Sequence, residues 1–243
     1  MPKNDYDSPW KDILTRYFQE FMAFFFPGIA TEIAWERGYE LLDKEFQKVV
    51  RQAKTGRRYA DLLVRVFQRN GEERWVLVHV EVQGARDREF AKRMFTYNYR
   101  IFDRYDRPVV SLAVLADPHP GWRPDGYSWS LWGCTMGLHF PVAKLLDYAA
   151  DWDALGASDN PFAACTMAQL KAMEARDDPA SLRQWKFSII RMLYDKGRDR
   201  EYVLNLFRFI DWVMRLPEDF EKAFLADLYQ LEEERAMPYV TSA

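Results

Sequence analysis

Residues 59–83 read YADLLVRVFQRNGEERWVLVHVEVQ, and this stretch decides the fold. Two β-prone runs, 59–68 and 75–83, flank a polar break that holds Asn70-Gly71, a hairpin-turn signal within a loop longer than two residues. The second run alternates. Val76, Val78, Val80 and Val82 fall on one face, and Leu77, His79, Glu81 and Gln83 on the other, because successive strand residues point to opposite sides. Asp61 opens the first run. A hairpin of these two strands brings Asp61 near Glu81. Two carboxylates and the amide oxygen of Gln83 at one edge of a sheet are an oxygen-rich seat for a hard divalent cation such as Mg²⁺.

The same composition bounds the rest of the chain. With 243 residues, 49% hydrophobic and 29% charged, it is a globular sequence with room for one large domain, or an α/β domain and a helical extension. A formal net charge of −3 argues against a tight, non-specific coat protein for DNA and says little about an enzyme, whose basic groove can be local. Cys134 and Cys165 form neither a disulfide nor a zinc pattern. No apolar run approaches the ~20 residues of a spanning helix. The opening MPKNDYDSPW lacks the apolar core of a secretory signal, so a cytoplasmic protein without a membrane partner is expected.

Working outward toward the N-terminus, Ser8-Pro9 predicts a helix start, with a helix from Trp10 to Phe25 ended by Pro27-Gly28. Its apolar positions are Ile13, Leu14, Tyr17, Phe18, Phe21, Phe24 and Phe25. The aromatic run 21–26 reads either as core or as a membrane-surface patch, and Lys11, Asp12, Arg16 and Glu20 on the same helix favour core. Glu20 is either a solvated face residue or a further contact to a metal or water, should this helix abut the sheet edge. A short element at 39–42 precedes a first strand at 46–52. Lys54-Thr55-Gly56-Arg57-Arg58 is either a solvated loop or a seat for a phosphate backbone beside Asp61.

Toward the C-terminus a helix spans 88–103, burying Phe90, Met94, Tyr97, Ile101 and Phe102. Arg93 and Tyr97 share one of its faces, and Tyr97-Asn98-Tyr99-Arg100 reads either as groups that meet phosphate or bases or as part of a helix–sheet interface. Residues 109–116 form a continuous apolar run, the mark of a central buried strand. A breaker-dense loop at 117–126 leads to a strand at 127–132 and an edge strand at 138–142. Beyond Asn160 the pattern is helical only, with candidates at 161–175, 179–194, 200–214 and 217–234. This half carries no catalytic cluster and offers a surface for a homo-oligomer or another partner. His119 and His139 are isolated, without zinc spacing; His79 shares the Glu81 face as a metal ligand or a hydrogen-bonded sheet residue.

The pattern Asp61-Leu62-Leu63, Val80-Glu81-Val82-Gln83 and Phe90…Arg93-Met94…Tyr97, with Trp10-Lys11-Asp12-Ile13-Leu14 and Phe24-Phe25-Phe26-Pro27, resembles the recombination-promoting nuclease and transposase-like family of the PD-(D/E)XK superfamily. The resemblance covers about residues 7–150 and leaves 160–236 as a helical C-terminal region. It implies a restriction-endonuclease-like α-β-β-β-α-β core with a mixed central sheet. It also implies metal-dependent DNA endonuclease activity with Mg²⁺ or Mn²⁺, DNA as partner, and a link to recombination or mobile elements. Asp61 matches the family's Asp, and Glu81 and Gln83 match its Glu-x-Gln form, so the implied catalytic set is Asp61, Glu81, Gln83 and Glu20, with metal on Asp61 and Glu81. Glu45 competes with Glu20 for the helix carboxylate. Ala60 stands where the motif often has proline. Gln83 stands where a lysine is common, and an amide can hydrogen-bond but not carry a proton. The alternative is a catalytically silent module of the same fold that binds DNA or protein.

Overall fold

The computed structural model describes residues 9–42, 60–69 and 75–241, with the backbone alone at 60–61 and 75–81. The Ser8 cap, Glu45, the strand expected at 46–52, the basic loop at 54–58 and the Asn70-Gly71 turn lie outside the described residues. The chain divides into two compact units, Met1–Lys144 and Leu145–Ala243.

The first unit begins with α1 (Pro9–Arg16) and α2 (Phe18–Phe25). The single helix expected over this region breaks at Tyr17, which leaves the helical region at φ −125° and ψ 43°. Thr15, Tyr17 and Phe18 all lose side-chain freedom in a helix, so this is its weakest stretch. Trp10, Ile13, Leu14, Phe18, Phe21, Met22 and Phe25 are buried. With Phe26 also buried, the run at 21–26 has its membrane-surface reading removed. Among the described residues no helix is long and apolar enough to cross a membrane. Pro27 starts the short α3 (Pro27–Ala30).

A five-stranded mixed sheet follows. Its strands are β1 (Glu40–Leu41), β2 (Ala60–Phe67), β3 (Trp75–Gln83), β4 (Val109–Leu115) and, after a separate ribbon, β7 (Val142–Lys144), in the spatial order β1-β2-β3-β4-β7. The pairs β1–β2 and β2–β3 are antiparallel; β3–β4 and β4–β7 are parallel. The parallel step from β3 to β4 is made by α4 (Phe90–Tyr105), as such a step requires a crossover. The helix buries Phe90, Arg93, Met94, Tyr97 and Ile101. It packs on Leu63, Ala113 and Leu115, while α1 packs on β2. Phe102, expected in the core, is exposed. It follows Ile101 by one residue, about 100° round the helix, and joins Phe95 and Tyr99 on the outer side.

The strand expected at 127–132 does form, as β5 (Gly126–Leu131), but not in the main sheet. It pairs with β6 (Cys134–His139) as a two-stranded antiparallel ribbon. The expected edge strand at 138–142 is therefore split: Leu138 and His139 end the ribbon, and Val142 begins β7.

The second unit is helical: a 3-10 turn (Leu145–Asp151), then α5 (Trp152–Ala157), α6 (Pro161–Glu174), α7 (Pro179–Asp195), α8 (Arg200–Val213) and α9 (Glu218–Arg235). Side chains of Asn160, Asp178 and Asp199 cap α6, α7 and α8 by accepting from Phe162, Ser181 and Tyr202 amides, and Pro161 and Pro179 occupy first-turn positions. Fully buried Lys186 ties α7 to Asp211 (2.7 Å) and Glu221 (2.9 Å).

Candidate metal centre at the end of the sheet

Asp61 and Glu81 are direct partners across the antiparallel β2–β3 ladder. Opposed residues share a sheet face, so both positions lie on the face that carries Leu63 and is covered by α4. Like charges directly opposite one another destabilise a sheet, and a bound cation reverses that sign. A carboxylate pair of this kind suits Mg²⁺ or Mn²⁺, which take oxygen donors. Glu81 also pairs with Ala113 and Gln83 with Leu115 on the parallel side, which puts all of these positions at the end of the sheet where α4 begins.

Gln83 follows Glu81 on the same face and is only 2% exposed. Its Nε2 donates to the Ala85 carbonyl at 2.7 Å, and its Oε1 accepts from Arg93 Nη2 at 3.0 Å. Arg93, itself buried, also forms an ion pair with Asp87 and lies over the Phe90 ring at 5.3 Å. Asp87 in turn accepts from the Glu89 amide at 2.9 Å. Both ends of the Gln83 amide are thus held by protein groups. Of residues 97–100, weighed above as phosphate- or base-meeting groups, Tyr97 is buried and packs with Leu42, Leu63 and Ile101 in the helix–sheet interface, while Tyr99 is exposed. Asn98 pins the helix to β4 by donating to the Val109 carbonyl (3.0 Å) and Ser111 Oγ (3.1 Å).

Glu20 is exposed in the first turn of α2. Burial raises the Tyr39 phenol pKa, and the Glu20 charge raises it further. Tyr39 precedes Glu40, which pairs with Arg65, so Tyr39 is level with the Val66–Phe67 end of β2. Glu20 therefore sits toward the opposite end of that strand from Asp61. Of the histidines, His79 stands opposite Leu63. The His119 amide donates to Asp117 Oδ1 at 2.9 Å, and the exposed His139 ring lies 2.6 Å from the Asp125 carbonyl. Among the described residues, no three His, Cys, Asp or Glu side chains converge.

One buried polar pair at this end of the sheet escaped sequence reasoning. Lys144 ends β7 beside Leu115, almost fully buried, and pairs with the wholly buried Asp117 just beyond β4. The ammonium also faces the Trp122 ring at 5.8 Å. The signal was available: Asp117 opens the breaker-rich loop directly after a buried strand, and Lys144 closes an otherwise apolar one.

No family model, no curated protein and no solved structure matches this chain.

Proposed function

We propose that the first unit is a metal-dependent DNA endonuclease that hydrolyses phosphodiesters, with Asp61 and Glu81 as the metal-binding carboxylates. The observation that carries this reading is their direct opposition across β2–β3. The order antiparallel β1-β2-β3, α4, parallel β4 supports it, since this is the element order that the sequence resemblance implies. A divalent cation at such a pair supplies an activated water and neutralises charge growing on a phosphoryl oxygen. The chain's own part is to hold the two carboxylates opposite each other. Gln83 and Arg93 fix the end of β3 that carries Glu81, and Gln83 acts as a positioning residue rather than a proton carrier. The family's link to recombination or mobile elements belongs to the same proposal.

A second reading, a catalytically silent module that binds DNA or protein, is favoured by one observation: the amide standing where a lysine is common is fully engaged by Ala85 and Arg93. Plasmid nicking by purified protein in Mg²⁺ or Mn²⁺, with Asp61→Ala and Glu81→Ala alongside, separates the two. The endonuclease reading expects cleavage by the natural chain and none by either variant at unchanged circular dichroism. DNA retention without cleavage in either metal establishes the silent module instead.

A further inference from the structure

The β5–β6 ribbon, residues 126–139, contains no Asp, Glu, Lys or Arg in a chain that is 29% charged. Its register places Tyr127 opposite Leu138, Trp129 opposite Met136, and Leu131 opposite Cys134. These six share one face; Ser128, Ser130, Thr135 and Gly137 lie on the other. Tyr127 anchors the base of the apolar face on Phe95 of α4, with ring centroids 5.4 Å apart. Beyond that anchor the face and the turn that closes it are open: Trp129 is 39% exposed, Leu131 57% and Met136 41%, and Trp132 in the turn 97%. Along α4 from Phe95, Tyr99 and Phe102 continue the surface at four- and seven-residue spacing, 51% and 49% exposed.

We propose that this face is a dimer interface for a second copy of the chain. Three features favour that occupant. Nucleic acid is disfavoured because the ribbon offers no cation to a phosphate. An anionic lipid surface is disfavoured for the same reason, as interfacial anchors pair their apolar side chains with Lys or Arg. An uncharged apolar face meets its own copy across a two-fold axis without like-charge repulsion, and its aromatic and Met content is that of an interface core. The size also fits. At about 150–250 Å² per large apolar side chain, the exposed fractions of Trp129, Leu131, Trp132, Met136, Tyr99 and Phe102 amount to on the order of 700 Å², close to the ~800 Å² per partner of a stable interface. Natural ribbons guard their edges with charges or proline, and β5 and β6 carry neither. The proposal stands independently of the endonuclease reading.

Sedimentation of the full chain over a concentration series tests it. The natural chain is expected to form a dimer. The combined variant Trp129→Ser, Leu131→Ser, Met136→Ser is expected to weaken dimerisation by about tenfold or more. Circular dichroism checks that the variant folds, and Phe102→Ser on α4 supplies an independent disruption of the same face. Exposed Cys134 is expected to lose reactivity toward a thiol reagent as the dimer forms; buried Cys165 stays silent throughout. A natural chain monomeric up to ~100 µM overturns the proposal. So does a dimer that survives both disruptions, which assigns association to the helical unit. A monomer that binds lipid vesicles through these residues overturns it in favour of a membrane surface.

Discussion

At the end of β3 two side chains decide what the sheet edge can tolerate. Gln83 and Arg93 are both buried, and the amide oxygen already serves the guanidinium at 3.0 Å. A lysine at 83 would place an ammonium beside that guanidinium, two like charges with little water to screen them. Gln83→Lys is therefore expected to lower stability by about 2–4 kcal/mol in urea unfolding and not to increase any cleavage. A gain in cleavage at unchanged stability would show that the position is open to the reacting groups. Arg93→Met removes the donor to Gln83 and leaves Asp87 without its ion-pair partner. The expected cost is about 3 kcal/mol. Arg93→Lys is expected to recover only part of it, since one ammonium cannot span Gln83 and Asp87 as the planar fork does. The opposition of Asp61 and Glu81 was legible in the alternation of 75–83. The capture of Gln83 was not, because it depends on how residues 84–89 fold back to bring Arg93 within reach.

Among the elements, α4 followed from its helical spacing, β4 from its apolar run and β5 from its alternation, but the pairing of β5 with β6 into a separate ribbon did not. The turn explains why. Trp132 and Gly133 both adopt positive φ, 51° and 82°, the requirement of a tight hairpin turn that Asn-Gly normally announces. A tryptophan in that conformation gives no sequence signal, and it is strained by roughly 1–2 kcal/mol. Trp132→Asn is expected to slow hydrogen exchange of the ribbon amides by relieving that strain. Gly133→Ala is expected to speed it, since a Cβ at φ 82° costs about 1 kcal/mol. The two effects are read most clearly at protein concentrations where the chain is monomeric. Retention of a strained, almost fully exposed tryptophan at the tip fits a surface that binds something. Opposite signs for the two substitutions would locate the strain at residue 132 itself.

Taken whole, the molecule puts its oxygen-rich sheet edge in one unit and a buried, multiply bonded carboxylate in the other. Glu232 on α9 is 2% exposed and accepts from the Tyr194 hydroxyl, the Val240 amide (2.6 Å), and the amide (3.1 Å) and hydroxyl of Thr241. It thereby clasps residues 240–241 to the helices, and Tyr239 stacks on Tyr194 at 5.5 Å. Burial alone would push the Glu232 carboxyl up, but the hydrogen bonds from Thr241, Tyr194 and Val240 outweigh it and hold it below its usual 4.5. Burial, then the Glu232 hydrogen bond and charge, push the Tyr194 phenol well above its usual 10.0. A depressed carboxyl contributes stability that is present above its unfolded pKa and lost as pH falls through the folded one. A raised phenol contributes stability that is present below 10.0 and lost as pH climbs through the higher folded value. Thermal unfolding followed against pH is expected to show a plateau, with an acid limb beginning near pH 4.5. Glu232→Gln, which keeps the shape but not the charge, is expected to flatten the acid limb and to free the C-terminal residues to proteolysis at neutral pH. An acid limb unchanged in that variant would overturn its assignment to Glu232.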